Sequence, residues 1–313
     1  MQTATRLENI QEQEKGAEPC SEPCSLALGA FDGLHRGHMA VIREAMKAPF
    51  SAGVLTFTGS PQGSPGLITP EEKEEILREE GVSRLYSLDF SKVKNIPAEE
   101  FFWDTLQKRC MAKRLCCGED FRFGQGAKGD AALLQDLCKE AGAELVVLPN
   151  LMENGEKISS TGIRAAVQAG DIPAANRLLG RPFGFKAEVI HGNHLGRELG
   201  FPTVNQALPE HFTLPPFGVY ASQMDIGGEK KYGVTNIGMK PTVGSDRVLA
   251  ETWILDFSGD LYGKKIRLSL LEFIRPERKF NSLEELKAEV LQNGEQAREI
   301  AENWEIDWKK EAF

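Results

Sequence analysis

The sequence predicts two domains of different classes, an α/β domain with a parallel sheet followed by an antiparallel β-barrel or sandwich. The chain has 313 residues, which is long for a single average domain. Apolar runs alternate with helical patterns in the first half, whereas short strand patterns and turn signals follow Leu179–Phe183. We therefore expect the domains to comprise residues 1–182 and 183–313.

The first half alternates strand patterns with helical patterns. The predicted strands are Leu26–Gly29, Ala52–Phe57, Arg84–Leu88, Arg114–Gly118 and Glu144–Leu148. The predicted helices are Met39–Lys47, a helix that starts at Pro70, Ala98–Arg109, Asp130–Ala141, and a helical stretch 159–179 that is interrupted at Gly170–Pro173. Thr69 and Pro70 suit the N-cap and the first position of their helix. This alternation is typical of a parallel sheet with helices on both faces.

The second half reads as short strands that are closed by helices. The predicted strands are Ala187–Ile190, Gly218–Gln223, Lys231–Thr235, Leu249–Phe257 and Lys265–Phe273. Two helices are predicted at the end, Ser282–Asn293 and Gln296–Trp308, and Ser282 and Glu285 form a capping box. Many short strands with turns between them indicate an antiparallel barrel or sandwich.

Composition excludes several classes of partner. The formal net charge of −9 disfavours a nucleic-acid partner, which normally requires a basic face. The six cysteines complete no zinc pattern, and we expect reduced thiols, with Cys116 and Cys117 in a buried strand. The first residues lack the apolar core of a signal peptide, and no apolar run has the length of a membrane span. We therefore expect a cytoplasmic protein without a membrane partner, and the sequence carries no signal for its oligomeric state.

The stretch GAFDGLHRGH, residues 29–38, joins a predicted strand to a predicted helix. Gly33 and Gly37 allow the backbone to turn and to approach a ligand closely. His35 and His38 are three residues apart, so they share one face of the first helical turn, where free N–H groups and the helix dipole attract anions. A glycine-rich turn with solvated histidines is the alternative. The flanking strand and helix favour phosphate binding.

A second stretch, KISSTGIR, points to the same chemistry. Its hydroxyl residues, Ser159 to Thr161, are strong N-cap residues, and Arg164 follows in the first turn. Taken alone, this is most simply a helix cap with an exposed arginine. Beside the histidine motif, a phosphate-binding role is favoured. The nearby Gly124–Gly129 matches GxGxxG but lacks an acid at the end of the next strand, which favours a substrate loop or a plain turn over a dinucleotide site.

The stretch HGNHLGRELGFPTVN, residues 191–205, carries the strongest signal in the second half. Its glycines, Gly192, Gly196 and Gly200, allow a loop that can wrap around phosphates. Thr203 and Asn205 are two apart in an extended segment, so they point the same way, and their neutral oxygens suit Mg²⁺ shared with substrate phosphates. A glycine-rich hairpin before an edge strand would explain the glycines but not this pair. Glu251 could be a general base, although an outward-facing residue is the simpler interpretation from the pattern alone.

Three stretches of the first half together resemble the adenylyltransferase half of the bacterial bifunctional riboflavin kinase/FAD synthetases: GAFDGLHRGH, Gly118–Gly124 and ISSTGIR. The resemblance implies a Rossmann-like nucleotidyltransferase domain in which the FMN phosphate attacks the α-phosphate of ATP and expels pyrophosphate. It implies catalytic roles for His35, His38 and Arg164, ATP or phosphate binding by Gly29, Phe31, Gly37, Ser160 and Thr161, and flavin binding by Asp120 and Phe121. One departure stands out, because TFTGSP (residues 56–61) replaces the family's TFxPHP-like stretch and lacks its histidine.

The second half resembles the riboflavin kinase module of the same family. The stretches that carry this resemblance are GRELGFPTVN, Phe217–Tyr220, Asn236–Thr242, ETWILDFSGDLYG and Arg275–Phe280. The resemblance implies a six-stranded barrel in which Gly192, Gly196 and Gly200 contact ATP, Thr203 and Asn205 hold Mg²⁺–ATP, Glu251 takes the proton of the riboflavin 5′-hydroxyl, and Arg275 contacts the flavin. The second half departs from the residues that are usual in this family at Val204, Trp253 and Asn293.

These resemblances predict one polypeptide with two consecutive ATP-dependent activities, which convert riboflavin to FMN and FMN to FAD. The expected partners are therefore riboflavin, FMN and ATP, with Mg²⁺ as cofactor. Two alternatives remain at this point. The departure at Thr58-Gly59-Ser60 allows a riboflavin kinase whose first domain no longer transfers adenylyl groups. A non-catalytic flavin-binding protein is the alternative from another class, and Thr203, Asn205 and Glu251 argue against it.

Overall fold

The computed structural model describes residues 8–11, 22–47, 49–58, 63–192, 196, 200–242 and 245–311. The chain divides into two compact units, Met1–Ser160 and Thr161–Phe313. The helices between residues 160 and 179 thus belong almost wholly to the second unit, whereas the sequence pattern groups them with the first half. A division of functions near residue 182 stays a prediction. None of the helices that the described residues form is both long and apolar enough to cross a membrane.

The first unit is built on one parallel sheet, as predicted. Its six strands are β1 (Glu8–Gln11), β2 (Cys24–Leu28), β3 (Ser51–Thr58), β4 (Arg84–Asp89), β5 (Ala112–Gly118) and β6 (Glu144–Leu148). They are ordered β1-β4-β3-β2-β5-β6, and every neighbouring pair is parallel. From the central strand β2, the chain adds β3 and β4 on one side of the sheet and then adds β5 and β6 on the other side. In such open sheets, ligands bind at the carboxyl ends of the strands beside this switch point.

Helices cover both faces of this sheet. They are α1 (Arg36–Ala45), α2 (Pro70–Glu79), α3 (Phe90–Val93), α4 (Ala98–Glu100, which continues as the π-helical segment Phe101–Arg109) and α5 (Ala131–Ala141). Alternate residues of β2 enter different cores: Leu26 and Leu28 pack with the residues of α4 and α5, whereas Ala27 packs with α1 and α2. Because both faces are covered, all five residues of β2 are buried, which explains its continuous apolar run.

The prediction that Cys116 and Cys117 lie in a buried strand is confirmed. Cys116 and Cys117 are fully buried on opposite faces of β5. Burial raises the pKa of Cys116 to about 11 and that of Cys117 to about 12, which keeps both thiols protonated. Five of the six cysteines are free thiols, and Cys20 lies outside the described residues.

Local signals decide the helix starts. Thr69 caps α2 by accepting a hydrogen bond from the Glu72 amide at 3.2 Å, as predicted. Helix α1 begins at Arg36, earlier than the predicted Met39, because the ring of His35 acts as its N-cap. Strand β1 and a short hairpin formed by β7 (Met152–Glu153) and β8 (Glu156–Lys157) were not predicted.

The second unit contains two short helices, a closed barrel and a long terminal helix. The helices α6 (Ser160–Ala169) and α7 (Ile172–Leu179) precede the barrel. The six strands are β9 (Gly184–Ile190), β10 (Thr203–Ala207), β11 (Gly218–Ile226), β12 (Glu229–Thr242), β13 (Ser245–Ile254) and β14 (Lys265–Pro276). They close in the order β10-β13-β12-β11-β14-β9 with antiparallel neighbours, which confirms the barrel.

The prediction of two closing helices was wrong. A single helix, α8 (Leu283–Glu311), runs through Gly294. A Cβ atom at residue 294 would lie 2.8 Å from the ring of Trp253, so glycine lets the helix approach the barrel closely. Beyond it, Ala297 and Ala301 pack into a buried apolar cluster with residues of the barrel. This packing outweighs the cost of about 1 kcal/mol for glycine inside a helix.

Replacing Asn176 with alanine is expected to destabilise the second unit by about 2–5 kcal/mol, because it leaves two buried backbone groups without partners. The fully buried Asn176 amide donates to the Leu270 carbonyl at 3.0 Å and accepts from the Phe183 amide at 2.6 Å, which ties α7 to the barrel. Urea unfolding followed by tryptophan fluorescence measures the loss. The neighbouring exposed Arg177, replaced by alanine, is the control, and equal stability of the two variants would contradict the expectation.

Candidate active sites

The first site is the loop that follows β2 at the carboxyl edge of the sheet, beside the switch point. The rings of His35 and His38 stack at a centroid distance of 3.5 Å and an interplanar angle of 19°, as expected for residues that share one helix face. The His38 amide donates to Nδ1 of His35 at 3.3 Å. Because Nδ1 accepts this bond, the proton of a neutral His35 sits on Nε2. His35 caps α1 and His38 lies in its first turn, so both imidazoles lie at the positive end of the helix dipole.

The backbone of this loop is left-handed at three positions. Phe31 has a φ of 48° and Leu34 a φ of 42°, which are uncommon for residues with side chains, and Gly33 has a φ of 82°. At Phe31 and Leu34 this conformation costs on the order of 1 kcal/mol or more each and persists only where neighbouring groups impose it, whereas Gly33 adopts it without strain. The loop is thus held in a defined shape rather than left to adopt a relaxed turn.

Four hydrogen bonds from other elements impose that shape. The Ala30 carbonyl accepts from Oγ1 of Thr56 at 2.7 Å and from Nζ of Lys73 at 3.2 Å. The carboxylate of Asp32 accepts from the Leu67 amide at 2.9 Å. The Asp32 carbonyl accepts from the Ser160 hydroxyl at 2.8 Å. Sequence reasoning selected Ser160 but not Thr56, Lys73 or Asp32. A polar residue inside the apolar β3 was the one available signal, at Thr56.

Phe31 and the glycines of the motif support the histidines. The Phe31 ring is only 1% exposed and meets the His38 ring edge to face at 5.3 Å. A Cβ atom at Gly29 would lie 2.9 Å from that ring, and one at Gly37 would lie 3.3 Å from the ring of His35. These glycines therefore leave room for the aromatic rings that build the site.

The other residues predicted for the first reaction have the following positions. Thr161 and Arg164 follow Ser160 at the start of α6, where Thr161 is exposed and Arg164 is half-buried. Asp120 lies just beyond the carboxyl end of β5, the neighbour of β2, and pairs with Lys157. Phe121 is partly exposed and stacks on the buried Phe123 at 5.8 Å.

The GxGxxG match is a closed turn. The backbone groups of Phe123 and Gly129 pair at 2.9 and 3.0 Å, and Gly124 packs so closely on α4 that a Cβ atom there would lie 2.5 Å from the Ala98 Cα. The departure at Thr58-Gly59-Ser60 lies outside the described residues after Thr58, the last residue of β3.

The second site is a row of residues across the outer face of the barrel. The strand register pairs Asn205 with Glu251, Glu251 with Asn236, Asn236 with Val219, and Val219 with Arg275. Thr203 precedes Asn205 by two residues on β10 and lies on the same face. The register therefore places Glu251 directly beside the predicted Mg²⁺ ligands. Asn236 belongs to this row but was not selected from the sequence.

Asn205 has the features of a cation ligand. Its side chain is 4% exposed, and its Oδ1 atom accepts no hydrogen bond from the described residues. Gly192 lies against it, since a Cβ atom there would be 2.3 Å from Nδ2. A Cβ atom at Gly196 would be 3.3 Å from Oγ1 of Thr203, and Gly200 has a φ of 89°. A buried, unused amide oxygen beside a hydroxyl and a glycine loop fits Mg²⁺, which prefers oxygen ligands.

Arg275 is held at the other end of the row by α8. Its Nε atom lies 2.7 Å from the carboxylate of Glu289 and 3.1 Å from Oδ1 of Asn293. Burial lowers the pKa of Arg275, and Glu289 opposes that shift. The side-chain amide of Asn236 donates a hydrogen bond to the carboxylate of Glu277 at 3.1 Å. Glu277 is thus a second carboxylate, besides Glu251, that contacts this row, and it was not predicted from the sequence.

Two family models match the chain, one for each half. The FAD synthetase model matches residues 17–162, and the riboflavin kinase model matches residues 179–301. The chain is 38% identical over 292 residues to the bifunctional riboflavin kinase/FMN adenylyltransferase of Escherichia coli strain K12, covering 89% of this chain and 93% of that protein. The chain belongs to the bifunctional riboflavin kinase/FMN adenylyltransferase family.

A second curated relative carries the same description, and one solved structure has a similar fold over most of the chain. The bifunctional riboflavin kinase/FMN adenylyltransferase of Bacillus subtilis strain 168 is 37% identical over 288 residues, which are 87% of this chain and 90% of that protein. A crystal structure from Streptococcus pneumoniae, described as a macrolide-efflux protein, superposes with a TM-score of 0.83 at 32% identity and covers 93% of this chain and 98% of its own.

The family membership confirms the predicted function. As a member of this family, the protein phosphorylates riboflavin to FMN and adenylylates FMN to FAD in flavin cofactor biosynthesis, with ATP as co-substrate of both reactions. The alternative of a non-catalytic flavin-binding protein is therefore set aside. The fold agrees as well, since a parallel α/β sheet and a six-stranded barrel are both present.

Proposed function

We propose that the stacked histidines of the first unit carry adenylyl transfer and that the polar row on the barrel carries riboflavin phosphorylation. The functional domains in this proposal are residues 1–182 and 183–313, in a cytoplasmic enzyme. The observation that carries the proposal is Asn205, whose buried and unused oxygen lies beside Glu251 in the strand register. A glutamate with a purely structural role on the barrel would not require such a neighbour.

In adenylyl transfer, an oxygen of the FMN phosphate attacks the α-phosphorus of ATP, and the bond to the bridging oxygen breaks as pyrophosphate leaves. His35 donates from Nε2, and His38 and the positive end of the α1 dipole add positive potential where negative charge develops. Thr161, Arg164 and the backbone amide of Ser160 supply further donors to the phosphates, while the Ser160 hydroxyl donates to the Asp32 carbonyl. Positioning and electrostatics thus account for the catalysis, because the protein forms no covalent intermediate.

In the kinase reaction, Glu251 accepts the proton of the riboflavin 5′-hydroxyl, whose oxygen then attacks the γ-phosphorus of ATP, and ADP leaves. Thr203 and Asn205 would hold Mg²⁺, which neutralises phosphate charge when it is bound. The loop of Gly192, Gly196 and Gly200 follows the ATP phosphates.

Two sets of residues contact the flavin. Asp120 and Phe121 contact it in adenylyl transfer, and Arg275 contacts it in riboflavin phosphorylation.

Incubating the pure full-length protein with riboflavin, ATP and Mg²⁺ is expected to yield FMN first and FAD later. With a chelator in place of Mg²⁺, neither product should form, because the Asn205 oxygen and the ATP phosphates would lack their shared cation. Chromatography of the flavins measures both products. Equal FMN formation with and without a divalent cation would remove Mg²⁺ from the proposal, and FMN without FAD would indicate an inactive first site.

A further inference from the structure

Lys73 of α2 reaches the loop that carries the histidines. Its Nζ atom donates to the Ala30 carbonyl at 3.2 Å and to Oγ1 of Thr56 at 3.3 Å. The Thr56 hydroxyl in turn donates to the same carbonyl at 2.7 Å. The three groups form a closed triangle of hydrogen bonds. The ammonium is thus bound to the phosphate loop, here defined as residues 29–34.

The Ala30 carbonyl lies at the point of the phosphate loop that determines where the two histidine rings are placed. The next residue, Phe31, adopts a left-handed conformation, and its buried ring meets the ring of His38. Displacing the Ala30 carbonyl would rotate the peptide that enters this strained residue. The displacement would then reach His38 through the Phe31 ring and His35 through the stack of the two imidazoles.

The charge environment of Lys73 is unusual for a structural lysine. Both hydrogen-bond acceptors of its Nζ atom are neutral oxygens rather than carboxylates. Burial lowers its pKa to about 8, and the carboxylate of Asp32, on the phosphate loop, partly opposes this shift. The contacts from the other elements, Thr56 of β3 and the Ala30 carbonyl, are neutral. The Lys73 side chain is half-buried, and its charge binds neutral oxygens of the loop that carries the histidines, which points to a role in positioning that loop.

We propose that the Lys73 ammonium is a positioning residue for adenylyl transfer, which holds the phosphate loop in the shape that places His35 and His38. This inference rests on the proposed role of those two histidines. A charged donor binds the Ala30 carbonyl more strongly than a neutral one, so deprotonation of Lys73 loosens the loop. FAD synthesis should therefore weaken as the pH rises through about 8.

The test is the pH profile of FAD synthesis from FMN and ATP in wild-type protein, Lys73→Arg and Lys73→Gln. In the wild type, kcat should fall above a pH of about 8. Arginine stays charged, so Lys73→Arg should move this decline to higher pH and keep kcat near pH 7 within about tenfold. Lys73→Gln should lower kcat by about 10–100-fold at every pH and lack the decline. Riboflavin phosphorylation by the same preparations should be unchanged.

The control variant is Lys139→Gln, which removes an exposed lysine that pairs with Asp136 on α5. Wild-type kcat in Lys73→Gln, or an unshifted decline in Lys73→Arg, would overturn the inference. Parallel loss of both activities in Lys73→Gln would overturn it too, since that indicates a folding role alone. The His38→Ala variant separates this inference from the proposed function. If that variant still makes FAD, the proposed role of the histidines is wrong. If it makes no FAD while the Lys73 variants behave as wild type, only the role of Lys73 is wrong.

Discussion

Replacing His38 with alanine is expected to abolish FAD synthesis from FMN and ATP while riboflavin phosphorylation continues. The His38 ring stacks on His35 at the positive end of α1, so its removal takes away a donor aimed at the developing phosphate charge and also frees the ring of His35. Loss of a single preorganised donor of this type lowers kcat by about 10²–10³-fold. Loss of the stack should add to that effect. Pyrophosphate release and chromatography of FAD measure the outcome.

Arg43→Ala is a matched control for this experiment, because Arg43 lies on the same helix and forms an exposed ion pair with Glu80. It should leave both activities close to those of the wild type. Normal FAD synthesis in His38→Ala would exclude His38 from catalysis. Equal loss of both activities would mean that the two reactions are not chemically separate.

Replacing Glu251 with glutamine is expected to lower FMN formation by about 10²–10⁴-fold, the usual contribution of a general base. Glutamine keeps the size of the side chain between Asn205 and Asn236 in the strand register, but it cannot accept the hydroxyl proton. Adenylylation of supplied FMN should be unchanged. Initial rates with riboflavin and with FMN as alternative substrates separate the two effects.

Glu272→Gln offers the matched control, since Glu272 is an exposed carboxylate on strand β14 of the same barrel. We expect this variant to phosphorylate riboflavin at the wild-type rate. Near-normal kinase turnover in Glu251→Gln would assign the proton to another acceptor, and Glu277, which is bound to Asn236, would be the next residue to replace.

Much of the fold could be predicted because local patterns dominate its elements. The apolar run of β2 predicted a strand, the alternation of strands with helices predicted a sheet covered on both faces, and Thr69 with Pro70 predicted the start of α2. The terminal helix shows the limit of such reasoning. Gly294 looks like a break in the sequence, and only its contact with Trp253 explains why the helix continues.

The helices between residues 160 and 179 show a second limit. Their periodicity and the Gly170–Pro173 break predicted them closely, but periodicity does not say which core a helix packs on. The Asn176 side chain decides this point, because its hydrogen bonds to Leu270 and Phe183 attach α7 to the barrel.

The amino-acid sequence by itself determined the fold class, the order of the two halves and the motif residues His35, His38, Thr203 and Asn205, because these depend on local spacing and on residue chemistry. Only the tertiary structure decided which side chains meet. Glu251 lies beside Asn205 because of the strand register, and Lys73 reaches Ala30 because α2 packs over the end of β3. Such contacts join residues that are distant in sequence, and no local pattern records them.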